Sequence, residues 1–388
     1  IALTPGSTAK DLGFAWYSNT KGTPAVMVWK DGSKAGAQIV KGTATDISAE
    51  NWQGEVYAAS NKVSINGFFE PDTKYVYQYT DNYSDNGDTV WSAEYTYTTH
   101  ATDTFSVILT GDPQIGASGS KSDKDANDMS IAQDAYNWNK TMQKAMEIDP
   151  DASFLLSAGD QINESNAGSE ETKKTRESEY AGYLYPSVFR SLPIAATIGN
   201  HDKDGSDYTA HFNNPNSEDN LGSTGAGCDF YFNNGNVLFI SLNSNNRNQT
   251  EHREFMKKAI ASNPDAAWRV VVFHSDIYGS GQPHADTDAT TNRIIFAPLM
   301  DEFDIDVCLT GHDHTYSRTY QISSDGSDSH KKYTKENMPS TDDKENFTAY
   351  INDNNCYNLK SGKEDSSKVV DPEGTVYFEA NSATGSKY

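Results

Sequence analysis

The chain has 388 residues, 36% of them apolar and 22% charged, enough for a large core and, at about 100–200 residues per domain, for two or three domains. Lys and Arg total 31 against 55 Asp and Glu, a formal charge of −24 that argues against electrostatic binding to a nucleic-acid backbone. No apolar run approaches the ~18 residues of a membrane span, and three Cys (Cys228, Cys308, Cys356) with no C-x-x-C spacing allow at most one disulfide.

The start at Ile1 and the end at Lys387 and Tyr388 read as trimmed rather than finished. A composition rich in Tyr, Asn, Asp, Ser and Thr and poor in Cys suits a secreted or cell-surface bacterial protein. Residues 1 to about 101 read as all-β. Leu12–Tyr17, Ala25–Trp29, Glu55–Tyr57, Lys74–Tyr79 and Trp91–Tyr97 alternate, and Gly, Asn and Asp clusters separate them at the short intervals of a sandwich. The expected role is a structural sandwich packed on its neighbour, ahead of a binding module.

From residue 102 the pattern changes. Strands are predicted at Phe105–Leu109, Phe154–Leu156, Ile194–Ile198, Val237–Leu242, Arg269–Phe273 and Val307–Leu309. Helices are predicted from about Asp128 to Ile148, from about Thr250 to Ala261, and in the stretch before Val307. This alternation argues an α/β domain over 102–388. Residues 322–370, rich in Ser, Asp, Lys and Asn with little periodicity, read as a surface insertion, with a lid over the site as the other reading. A strand at Gly374–Ala380 resumes the order. Cys308, in an apolar strand, is expected as a buried thiol. Cys228 and Cys356, in polar loops, are the two that could pair in an oxidising compartment.

Strand after strand ends in a short polar motif. Phe105–Thr110 runs into Gly111, Asp112, Pro113 and Gln114, and Phe154–Ala158 into Gly159 and Asp160. Ile194–Ile198 runs into Gly199, Asn200, His201 and Asp202; Val270–Phe273 into His274; Val307–Thr310 into Gly311, His312, Asp313 and His314. Ligands gather at the carboxyl ends of strands in open α/β sheets, and the glycines let the backbone turn sharply there. Two Asp, one Asn and three His, with no thiolate, suit Mn, Fe or Zn. Six ligands are too many for one catalytic ion with an open position. They suit two ions sharing a bridging carboxylate, about 3.5–4 Å apart, which clamp a phosphate and lower the pKa of a water between them.

In that ordered set the chain resembles the metallophosphoesterase superfamily and, within it, the purple acid phosphatases; Gly311–Arg318 and Gly374–Tyr377 match family patterns too. The resemblance implies a fibronectin-type-III-like N-terminal domain (1–101), then a calcineurin-like catalytic domain (102–388) of two packed mixed sheets flanked by helices. It implies that Asp112 and His314 bind a first metal, that Asp160 bridges, and that Asn200, His274 and His312 bind a second. His201 would protonate the leaving oxygen, with Asp202 as its orienting partner. His284 stands where plant members place a phosphate-contacting histidine, with a surface-loop histidine as the other reading. Hydroxide formed at the dimetal centre would attack phosphorus in line. Two departures stand out. Where purple members carry an iron-binding tyrosine, this chain has Asn163, so no purple charge-transfer band and a weaker preference for Fe(III) are expected. Where many non-purple members carry a metal-binding His, it has Gln114, which is expected to contact substrate, fill the first metal's sphere or hold the loop.

The expected activity is hydrolysis of small phosphate monoesters with two divalent or trivalent ions (Fe, Mn or Zn). A phosphodiesterase or nucleotide hydrolase on the same site is the alternative within the chemistry. A degenerate surface module that binds through the sandwich and no longer catalyses is the alternative outside it.

Overall fold

Alternating apolar and polar residues in the first hundred positions build two antiparallel sheets. The structure, a computed structural model, describes residues 1–119, 124–217, 219–281, 284–286, 288–324, 339–340, 342–353, 357–359, 369–371 and 373–387. Strands β1 (Ala2–Pro5), β2 (Leu12–Ser18), β3 (Ala25–Lys30), β4 (Gln38–Lys41), β5 (Thr43–Glu50), β6 (Val56–Ile65), β7 (Lys74–Thr80) and β8 (Tyr95–Thr98) pair in the orders β1-β2-β6-β5 and β4-β3-β7-β8. Period 2 puts Leu12, Phe14 and Trp16 of β2 into the space between the sheets, against Val26, Val28, Tyr75 and Tyr77. The other face of β2 and β6 carries Gly13, Ala15 and Ser60, small enough for the following part of the chain to pack close. Hydrogen bonds cross there from Thr4 Oγ1 to Asn213 O (2.7 Å) and from Ser60 Oγ to Ala210 O (2.7 Å). The sandwich is thus seated on its neighbour.

The second part holds β9 (Ile108–Thr110), α1 (Lys124–Ile148), β10 (Leu155–Ser157), α2 (Glu170–Tyr183), β11 (Ile194–Ala196), α3 (Asp207–His211), β12 (Phe230–Asn234), β13 (Val237–Leu242), α4 (Gln249–Ser262), β14 (Trp268–Phe273), α5 (Asp288–Glu302), β15 (Val307–Thr310), β16 (Ser317–Arg318), β17 (Ile322–Ser324), β18 (Tyr357–Leu359) and β19 (Val376–Glu379). The smaller sheet, β11-β10-β9, is parallel. The larger, β12-β13-β14-β15-β19-β16, is mixed: four central parallel strands with an antiparallel strand at each edge.

Alternation assigns the layers. Leu156 of β10 and Phe239 of β13 point between the two sheets, with Phe154, Phe230, Phe232 and Val272. Their neighbours face outward. Leu155 and Ile194 meet Trp138 and Met142 of α1 and Tyr180 and Tyr183 of α2. Leu238, Ile240, Val271 and Cys308 meet Phe255 and Met256 of α4 and Phe296 and Leu299 of α5. Four layers result, helix, sheet, sheet, helix, with both sheets buried on both faces. This packing aims the carboxyl ends of β9, β10, β11, β14 and β15 at one place.

Residues 322–370 need one correction. The segment read as aperiodic carries the antiparallel pair β17–β18 and a helix at Lys344–Asp353. Its polar composition hid elements too short or too hydrophilic to show a period. Cys308 is buried in the helix-covered core, as expected, and burial pushes its thiol up. Cys228 Sγ donates to Ser217 O at 2.9 Å, while its suggested partner Cys356 lies outside the described residues.

The layer between the sheets makes a stability prediction. The Phe239 ring lies 5.2 Å from Phe154 and 5.0 Å from Phe232, and the residue is 4% exposed. Phe239→Ala should lower unfolding free energy in urea by about 3–5 kcal/mol. A loss below about 1 kcal/mol would mean that the sheets do not depend on this contact.

Candidate active site

Each strand end contributes one or two polar side chains. β9 leads to Asp112 and Gln114, β10 to Asp160 and Asn163, β11 to Asn200 and His201, β14 to His274, and β15 to His312 and His314. The backbone achieves this differently from the expectation. Of the glycines that precede ligands, Gly159 has a positive φ (+108°), whereas the ligands themselves take left-handed conformations: Asp112 (φ 47°), Asp160 (53°), His312 (81°) and His314 (58°). Glycine serves instead for close approach. A Cβ on Gly311 would stand 2.6 Å from Asp112 Oδ2, and one on Gly159 2.6 Å from His274 Nδ1.

The loops tie one another down. The His201 amide donates to Asp160 Oδ1 (2.9 Å) and the His312 amide to Asp112 Oδ2 (2.9 Å). His274 Nδ1 donates to Ala158 O (2.9 Å), which leaves Nε2 facing Asp160 Oδ1 (3.3 Å), Asn200 Oδ1 (2.9 Å) and His312 Nδ1 (3.2 Å). His314 Nε2 stands 3.5 Å from Asp112 Oδ1. All six ligands inferred from the sequence therefore come together at one place.

The residues present fit metal ions. Asp112, Asp160 and His274, all buried, offer ligand atoms within 4.8 Å of one another. Asp112 Oδ1 and Gln114 Oε1 are buried and accept no hydrogen bond, an arrangement that costs free energy unless a cation supplies the missing interaction. Burial alone would raise the Asp160 carboxyl. The charges of His274 and His201 outweigh it and hold the group well below the usual carboxylate range. Burial likewise pulls His274 down, but Asp160, through its charge and hydrogen bond, pushes it up to about 10. A proton on His274 thus stands in for cationic charge.

Two expected roles change. Asp202 does not orient His201. Its Oδ2 accepts the Gly199 amide (2.9 Å), its Oδ1 accepts the Tyr180 hydroxyl (3.0 Å), and burial, then the Asp160 charge, push it up to about 7. The partner of His201 Nδ1 is the main-chain carbonyl of Asn163, at 2.5 Å. Gln114 is buried and donates from Nε2 to Asp160 Oδ2 (3.1 Å), so it stands among the ligands and not on a substrate-facing wall. His284 does lie at the site: its ring centroid is 4.0 Å from that of His312, and its side chain is partly exposed.

Sequence reasoning missed three contributors. Asp288, at the start of α5, accepts from both His284 and His312. Glu179 of α2 accepts the amides of Asn163 (2.9 Å) and Glu164 (2.6 Å), fixing the carbonyl that holds His201. Arg176, fully buried, donates to the carbonyls of Glu164 (2.7 Å), His201 (2.8 Å) and Asp202 (3.1 Å) and pairs with Asp207. The one available signal was acidic and basic residues at helical spacing in 170–183; nothing marked Asp288.

A family model described as calcineurin-like phosphoesterase matches residues 105–316. No curated protein matches the chain. Among solved structures, a purple acid phosphatase isolated from yellow lupin (Lupinus luteus) seeds superposes with a TM-score of 0.64 at 16% identity, over 98% of this chain and 64% of that one. This chain therefore spans under two thirds of the lupin protein, and the likeness is one of fold. The sulfate thiohydrolase SoxB of Thermus thermophilus gives a TM-score of 0.30 at 11% identity, over 54% of this chain and 48% of that one.

The His274 proton makes a prediction about metal binding. In the metal-free protein it is held from the ordinary 6.5 up to about 10, so its stabilising effect is complete below pH 6.5 and disappears as pH rises through about 10. A metal ion must displace that proton. Zinc titration at pH 7, followed by calorimetry in two buffers of different ionisation enthalpy, should report release of about one proton or more. Identical heats in both buffers would show that His274 carries no proton to displace.

Proposed function

The chain belongs to the calcineurin-like phosphoesterase family, and on that footing we propose that it is a metal-dependent phosphatase acting on small phosphate monoesters. One observation carries the reading. Five separate strand ends deliver two buried carboxylates, an amide and three imidazoles to one place, with buried carboxylate and amide oxygens that accept no hydrogen bond. Two metal ions held by Asp112, Asp160, Asn200, His274, His312 and His314 would supply positive charge toward phosphoryl oxygens and acidify a water.

The chain's own residues supply the rest. His201 Nδ1 donates to Asn163 O, so Nε2 is the atom that gains and gives a proton. It lies 3.8 Å from Asp160 Oδ2, beside the ligands, and its side chain is 20% exposed. A leaving oxygen at that position takes the Nε2 proton. His284 forms a half-exposed wall beside His312, suited to a phosphoryl oxygen. The net charge of −24 favours small esters over long polyanions, because local cations attract a small anion while the surrounding field repels an extended one. We extend the proposal to a secreted or cell-surface location, on the Cys-poor, Tyr- and Asn-rich composition; recovery of the protein from the cytosol of its source cells would contradict it.

Turnover of a simple aryl phosphate should exceed that of the bis-aryl diester; the reverse order would favour the phosphodiesterase reading. His201→Ala should lower kcat by about 10²–10⁴-fold with metal content unchanged. Burial holds the His201 imidazole below its ordinary 6.5. The acid form is therefore lost as pH rises, and kcat/KM should fall through a midpoint below 6.5 in the wild type but not in His201→Ala. With Asn163 in place of a tyrosine, the metal-loaded protein should show no visible charge-transfer band. A purple colour would mean that a phenolate from elsewhere reaches the metal.

A further inference from the structure

His312 is held at both ring nitrogens. Its Nε2 donates to Asp288 Oδ2 at 2.9 Å, and its Nδ1 stands 3.2 Å from His274 Nε2, which itself faces Asp160. A carboxylate accepts and does not donate when ionised, so the proton of a neutral His312 must sit on Nε2 and the lone pair on Nδ1. That lone pair points at the group formed by Asp112, Asp160 and His274. Asp288 also accepts from His284 Nδ1, at 3.0 Å to Oδ1 and 3.3 Å to Oδ2. Its side chain is 28% exposed, at the first position of α5.

We propose that Asp288 is a positioning residue for the metal centre: its carboxylate fixes the His312 tautomer, aims Nδ1 at the second metal, and ties the His284 wall to the same ligand. The inference rests on the metal-dependent reading above. A carboxylate behind a metal-ligating imidazole fixes the ring and raises its basicity, and losing it typically weakens metal binding 10–100-fold. The same three side chains, His284, Asp288 and His312, offer ligand atoms close enough for an ion of their own. Occupying that position would require removing the protons that both imidazoles donate to Asp288, so the positioning role is the one the hydrogen bonds favour.

The test uses the full metal-free chain titrated with Zn²⁺. The wild type should take up two equivalents. Asp288→Asn, which keeps shape and removes charge, should leave one affinity within about threefold and weaken the other by about 10–100-fold. Asp288→Glu should bring that site back to within about tenfold of wild type, and it serves as the second variant if the first fails to fold. In ¹⁵N spectra of the zinc-loaded wild type, the His312 proton should reside on Nε2. A role confined to starting α5 would lower Tm and move neither readout. The inference is overturned by unchanged zinc affinities in Asp288→Asn, by a His312 proton on Nδ1, or by a third zinc equivalent in the wild type that Asp288→Asn abolishes. A wild type that binds no zinc overturns the metal-dependent reading itself and this inference with it, an outcome distinct from equal binding by both proteins.

Discussion

Two carboxylates buried side by side set the terms for the rest of the second part of the chain. Asp112 and Asp160 lie at adjacent strand ends with almost no exposure, and like charges at that depth are unstable without a cation or a proton. The fold answers with cross-ties. The amide that serves Asp160 belongs to the His201 loop, and the amide that serves Asp112 belongs to the His312 loop. Because these two motifs satisfy carboxylates of two others, the four loops are tied together in pairs. The left-handed backbone at four of the ligands carries local strain of the same origin: it persists because neighbouring loops overdetermine it.

A second dependence runs through α2. A helix normally buries an apolar stripe, but α2 buries Arg176, Glu177, Ser178 and Glu179 as well as Tyr180 and Tyr183. Each buried polar group has work in the site or at the seam with the sandwich. Arg176 and Glu179 hold the loops that carry His201 and Asn163, and Tyr180 holds Asp202. Glu177 accepts from Tyr17 of the sandwich (3.3 Å) and pairs with His211 (3.0 Å). The sandwich thus reaches the loops that carry His201 and Asn163 through one helix, which gives its seat on the second part a mechanical consequence for the site.

What could be read from the sequence follows from the same physics. Strands β13 to β15 stood out because burial on both faces makes a continuous apolar run, and the ligands stood out because a polar residue directly after such a run has few structural reasons to be there. The helix α2 did not stand out, since its buried face is polar and mimics a solvated surface. Nor did Asp288, whose role depends on contact with His312, 24 residues further along the chain. Asp202 failed for a different reason. Adjacency in sequence suggested contact with His201, but consecutive residues in a turn point different ways, and a main-chain carbonyl, invisible to any reading of side chains, took the position instead. Gln114 was legible as a departure and not as a contact, because only packing shows that its amide reaches Asp160.

The two departures, Asn163 and Gln114, act together. By the resemblance read from the sequence, Asn163 stands where purple members carry an anionic tyrosine ligand and Gln114 where many non-purple members carry a neutral histidine ligand; neither residue of this chain is an anion. Among the residues assigned to the two metals, Asp112 and Asp160 are then the only anionic side chains. Two negative charges balance a pair of divalent ions less poorly than a pair containing a trivalent ion, whose binding in a buried site calls for a further anionic ligand. The hydrogen bonds that hold His201 and His312 run through Asn163 O and Asp288 and do not use the side chains of Asn163 or Gln114, so in the proposed reaction the two positions bear on metal charge and not on the His201 proton. In the proposed function, the balance of charge at the first metal, rather than loss of the polar strand-end motifs, is then what would set the choice of ion.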